Sequence, residues 1–180
     1  MKTLKKSIYY MILCLTLVLT ACSSDDDNAN NNNQQNNGGG ELFTAKIDGA
    51  DFAASTDPAT LIGGTKSTAN GMTILAGQGS TNSGDFINFN ITGYNGPGTY
   101  MTGDNLTNPN QIQYGELAGQ SANVWASNLA TSAAGISPGT IEITVDADGK
   151  IEGTFSFEGY NAQDMTSKMI TQGQFKFTVD

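Results

Sequence analysis

Asp146-x-Asp148-Gly149-x-x-Glu152 sets three carboxylates around one glycine, the residue types of a calcium loop, because a hard cation takes carboxylate and carbonyl oxygens. A complete loop also needs a third Asx ligand and a distant bidentate glutamate, and Asp-Gly is the commonest two-residue hairpin turn. The turn is the preferred reading and calcium the alternative. Trp125, the sole tryptophan, carries a second chemistry. If Val124 faces the core, Trp125 lies outward beside Asn123 and Ser127, where an indole next to amides can stack on sugar rings. If Trp125 itself faces inward it is packing, which is preferred. Tyr94, Tyr100, Tyr114 and Tyr160 would be its aromatic partners on a ligand-binding, glycan-type surface. Glu142, Glu152 and Glu158 have the carboxyl groups of a glycosidase pair, but on a regular hairpin they point outward with no pocket implied.

What is missing from the composition narrows the chemistry further. The chain has no histidine and no arginine. That removes Ser-His-Asp and Cys-His triads, histidine-ligated zinc and an imidazole base. The glycine-rich corner Gly93–Tyr100 lacks a following Gly-Lys-Ser/Thr and so is no phosphate cradle. No catalytic residue, metal site or cofactor is predicted, and the protein is expected not to be an enzyme.

The N-terminus is organised differently from the rest. Lys2, Lys5 and Lys6 precede an apolar run, Ile8 to Val18, too short to span a bilayer as a stable helix. Leu19-Thr20-Ala21-Cys22 follows, and it resembles the bacterial lipobox. That resemblance implies a signal peptide over residues 1–21 and a fatty-acylated Cys22 as the lipid attachment and new N-terminus. With each buried methylene worth about 0.8 kcal/mol, several acyl chains anchor where one holds only marginally. Ser24-Asp25-Asp26-Asp27 resembles the run that directs surface lipoproteins of the Bacteroidota across the outer membrane, implying an outer-membrane location facing the cell exterior; inward display is the alternative.

Asn28 to Gly40 has no apolar side chain larger than alanine. Such a segment cannot bury enough surface to offset its ordering entropy, so residues 22–40 are predicted to be an acylated cysteine and a disordered tether. Flexible chain of about 15 residues spans about 20 Å.

Residues 41–180 remain as one domain, large enough for its own core. Both cysteines, Cys14 and Cys22, lie before it, so its stability rests on packing rather than disulfides. Cleavage at Cys22 removes three of eight lysines and leaves five against all 17 acidic residues, a formal charge of −12. Nucleic acid is therefore excluded as a partner, because counterion release needs clustered Lys or Arg. The partners expected are the membrane, through Cys22, and a glycan or envelope protein.

Short alternating runs separated by Gly/Asn/Asp/Pro clusters predict an all-β domain, an antiparallel sandwich or short barrel of about ten strands. Hairpins are predicted around Asp48–Asp51, Ala69–Gly71 and Asp146–Lys150, with one-sided strands at Asp85–Thr92, Thr140–Val145 and Ile151–Glu158. Further strands are expected over Gln111–Glu116 and Ala122–Ser127, and Asn161–Lys168 as a loop or a single helical turn. Ile170 is out of phase with Phe175, Phe177 and Val179, which predicts a β-bulge at Gly173. Ala45-x-Ile47-Asp48-Gly49-x-x-Phe52, Gly96-Pro97-Gly98-Thr99-Tyr100, Gly153-Thr154-Phe155-x-Phe157 and Ile170-Thr171-x-Gly173-x-Phe175 together resemble a family of small Bacteroidota lipoproteins of unknown function. The resemblance implies an all-β fold and no activity.

Overall fold

The computed structural model describes residues 40–57, 61–132 and 135–179. The expected signal peptide, Cys22, the Ser24–Asp27 run and the expected tether up to residue 39 lie outside the described residues. Among those described, eleven strands form one antiparallel sheet: β1 (Leu42–Ile47), β2 (Ala50–Ala53), β3 (Ile62–Ala69), β4 (Met72–Ser80), β5 (Phe86–Thr92), β6 (Gly98–Thr102), β7 (Gln111–Ala118), β8 (Ser121–Ala126), β9 (Gly139–Ala147), β10 (Lys150–Asn161) and β11 (Thr166–Thr178). A short 3-10 helix, Ser127–Ser132, follows β8 where the sequence pattern marks no helix.

The main path through the sheet is β2-β1-β11-β10-β8-β7-β5-β4-β3, with β9 on the free half of β10 and β6 beyond β9. A parallel bridge from Gly64 to Val179 brings β3 back beside the end of β11, so the sheet curls on itself. Of the two architectures expected, this is the barrel. Its hairpins turn on Asp48-Gly49, Asn70-Gly71 and Asp148-Gly149, each pair with both residues at positive φ, as a two-residue turn matching strand twist requires.

Alternation along most strands buries one face, whereas β3 beyond Ile62 is half-exposed or exposed. Phe43, Phe89, Phe155, Phe175 and Phe177 meet in the interior with ring centroids 5.0 to 6.4 Å apart, ringed by Leu75, Ile87, Ile112, Ile141, Ile151 and Ile170. Each buried phenylalanine contributes about 1.5–3 kcal/mol.

Two irregularities re-aim side chains. In β11, Gly173 pairs with Phe155 but Ile170 with Phe157, so two residues, Thr171 and Gln172, face the single Ser156. This is the slip the sequence predicts, displaced by one position: Gln172 takes the positive φ of 52°, not Gly173. In β9, Ile143 pairs with Gly153 and Val145 with Glu152, leaving Thr144 as an extra residue. That second bulge is invisible in the alternation. It turns Val145 outward and brings Asp146 opposite Ile151, whose side chain is in the core.

Of the loop or single helical turn expected at Asn161–Lys168, the structure has a loop, shortened to residues 162–165 at the tip of the β10–β11 hairpin. Asn161 Oδ1 accepts from the Gln163 N–H at 2.8 Å and Asp164 Oδ1 from the Thr166 N–H at 3.0 Å, and these local bonds outcompete a helical turn.

Candidate functional site

Trp125 is 4% exposed and belongs to the core. The β7–β8 register sets it opposite Tyr114, with ring centroids 5.9 Å apart and an angle of 25° between the rings. Gly159 on β10 makes room for it, since a Cβ there would lie 2.8 Å from Trp125 Cβ. The indole N–H donates to Thr166 Oγ1 at 2.9 Å, and Lys168 Nζ stands 4.8 Å from the indole centroid. Trp125 thus has the inward packing preferred from the sequence, and its weaker, sugar-stacking alternative is corrected: neighbours cover the ring, and Tyr94 and Tyr114, at 6% and 5% exposed, are covered with it.

Tyr114 lines a basin of ≈ 510 Å³ beside the β1–β2 turn. Asp48, Asp51, Asp85, Glu116 and Lys168 line it. Lys168 Nζ bonds Glu116 Oε1 at 2.9 Å and lies 3.8 Å from Asp48 Oδ2, while the Tyr114 phenol donates to Glu116 Oε1 at 3.0 Å. Burial, then the bond to Glu116 and the negative charge around it, pushes the Tyr114 pKa up. Asp48 Oδ1 also accepts from the Met169 N–H at 2.8 Å, and Asp85 Oδ1 from the Leu117 N–H at 3.2 Å. These side chains are scattered from position 48 to 168, so no local spacing could have announced the group.

The carboxylates singled out for calcium have other partners. Asp146 receives Lys66 Nζ at 2.7 and 3.0 Å and the Tyr94 phenol at 2.9 Å. The Lys66 hydrogen bond, reinforced by that of Tyr94, holds its carboxyl below the usual range against the opposing effect of burial. Asp148 sits in the hairpin turn and Glu152 pairs with Lys176 at 3.0 Å. Among the described residues no group of three or more His, Cys, Asp or Glu side chains converges as a metal cage. Glu158 Oε2 accepts from the Ser137 N–H at 3.3 Å, and Glu142 lines an outer polar hollow with Thr154 and Gln174.

A third surface carries a cluster of amides. On β5 the wet side predicted from the alternation carries Asn88 and Asn90. Register sets Asn88 between Gln78 of β4 and Gln113 of β7, and Asn90 between Ala76 and Gln111. With Leu61 at the rim and Gly63 and Thr65 on β3, they bound an open hollow of ≈ 490 Å³ lined by no charged residue. Sequence alone marks only the β5 half of this face, because the neighbouring rows depend on strand register.

Searches of curated proteins and of solved structures return no match. A family model covers residues 40–178, nearly the whole β-domain. The chain belongs to the family described as Domain of unknown function (DUF6252).

Proposed function

We propose that this protein is a lipid-anchored outer-membrane lipoprotein of a Bacteroidota-type envelope, held by acylated Cys22 and facing the medium, whose barrel is a non-catalytic binding module for a glycan or envelope protein. The lipobox-like Leu19–Cys22 and the Ser24–Asp27 run support the anchor and its outward display. The observation that carries the binding role is the amide face: a chain with a formal charge of −12 after cleavage keeps one hollow, where five carboxamides stand among small and apolar residues, free of charge.

The absence of histidine supports a non-catalytic role, and the pairing of the lysines argues against nucleic-acid binding. Lys46, Lys66, Lys168 and Lys176 are each paired with a carboxylate, which leaves little cationic surface for phosphates.

The test is mass spectrometry of the N-terminal peptide from native membranes, with protease treatment of intact cells. A diacylglyceryl, N-acylated Cys22, release of the Cys22→Ala variant from the membrane, and cleavage of the domain on intact cells are expected. An unmodified Cys22 overturns the anchor, and a protease-resistant domain on intact cells overturns outward display.

A further inference from the structure

The amide face has a hydrogen-bonding pattern that points to a class of ligand. Gln78, Asn88 and Gln113 form one cross-strand row, and Asn90 and Gln111 a second. Rows of this kind are spaced by about 4.8 Å between strands and about 6.7 Å along them. Each carboxamide offers one acceptor oxygen and two donor hydrogens on a planar head. Gln111 Nε2 donates to Gln113 Oε1, orienting both. The side chains of Gln78, Asn88 and Asn90 make no hydrogen bond to a described residue. Four of the five are only partly exposed, so their conformational freedom is already reduced before a ligand arrives.

Chemistry separates the candidate occupants. An anionic ligand finds no cation on this face, and a cationic one finds no carboxylate. A protein partner would be anchored by Trp, Tyr or Arg in a desolvated pocket, and the lining has no exposed aromatic or Arg side chain. An extended peptide adds to a sheet through an open edge, whereas these amides stand on the face of paired strands. Adjacent sugar hydroxyls, each both donor and acceptor, match a planar carboxamide. Resting on the binding role proposed above, we propose that Gln78, Asn88, Asn90, Gln111 and Gln113 form a binding site for a neutral oligosaccharide. Recognition is by hydrogen bonds without ring stacking, which makes single-site affinity weak.

The experiment is calorimetric titration of the detergent-solubilised full chain with neutral gluco-, manno- and galacto-configured hexasaccharides, an oligouronate of the same length and an uncharged hexapeptide. At least one neutral hexasaccharide is expected to saturate with a Kd of about 0.1–1 mM. Asn88→Ala combined with Gln113→Ala should weaken it by about 10-fold or more, equivalent to about 1.4 kcal/mol. Asn88→Asp, which changes charge at constant volume, should do the same with an unchanged melting temperature, and Glu158→Ala should leave binding intact. Silence from all neutral sugars, preference for the oligouronate or the peptide, or binding that survives Asn88→Asp overturns the proposal. Such a failure is distinguishable from failure of the anchored-lipoprotein reading, which is decided by the state of Cys22 and not by any sugar.

Discussion

Tyr94 donates its phenolic proton to Asp146 at 2.9 Å, joining residues 52 positions apart. Lys66 reaches the same carboxylate from β3, so three strand systems meet on one oxygen pair whose side chain is 14% exposed. The glycine-rich corner is secured beside it: the Tyr100 phenol donates to the Gly96 carbonyl at 2.6 Å, and its ring lies 5.5 Å from that of Tyr94.

The first prediction concerns acid. The Asp146 pKa is lowered below 3.8 in the folded protein, so its stabilisation is present above that value and is lost as pH falls toward the folded pKa. Asp146→Asn should cost about 1–3 kcal/mol at pH 7, where a charge-assisted bond is removed. The gap between variant and native protein should close as pH falls below about 4 toward the lowered folded pKa, as read by urea unfolding at each pH.

The second concerns alkali. Burial first, and then hydrogen bonds to Asp146 and Glu116, raise the pKa values of Tyr94 and Tyr114 well above the ordinary 10.0. Because the folded values exceed the unfolded one, the stability these phenols contribute is full below pH 10 and is lost as pH rises beyond it. In an absorbance titration near 295 nm, both rings should stay protonated beyond pH 10 until the fold opens. The pair Tyr94→Phe and Tyr114→Phe should flatten the alkaline loss of stability. Early ionisation of both rings in the intact fold would contradict this.

The third uses the single tryptophan. Trp125, held between Tyr114 and Lys168, should emit at short wavelength and resist acrylamide until denaturation. Trp125→Ala should cost about 3–5 kcal/mol by truncating a packed aromatic. Lys168→Met removes a cation–π contact and an ion pair that is partly exposed to solvent, so its cost should be only about 1 kcal/mol while the emission shifts.

The fourth concerns the bulge in β11. A Cβ at Gly173 would lie 2.4 Å from the Phe155 ring, so Gly173→Ala should destabilise by about 1–3 kcal/mol through overpacking. Gln172, with φ at 52°, is where backbone freedom is wanted. Gln172→Gly should stabilise by up to about 1 kcal/mol, relieving the left-handed conformation, and raise Tm by about 2–5 °C. The reverse ranking in thermal melts would place the bulge elsewhere.

Much of the fold was legible because hairpin chemistry and alternation are local. Asp48-Gly49, Asn70-Gly71 and Asp148-Gly149 announce their turns, and the parity break before Phe175 announces a bulge. Register across strands distant in sequence is not written in any window, so closure through Gly64 and Val179, and the amide rows, required the fold.

The Thr144 bulge shows the limit most directly. Asp146 reads as a solvent-facing turn carboxylate, yet one unpaired residue reverses the face on which it emerges and delivers it to Lys66 and Tyr94. Trp125 likewise had two faces open to it, and only packing against Tyr114 and Gly159 decided between them. The sequence by itself determined an all-β class with a carboxylate surplus and no histidine or arginine. Tertiary structure alone decided which polar side chains meet, because strand pairing sums long-range contacts that no stretch of the chain contains.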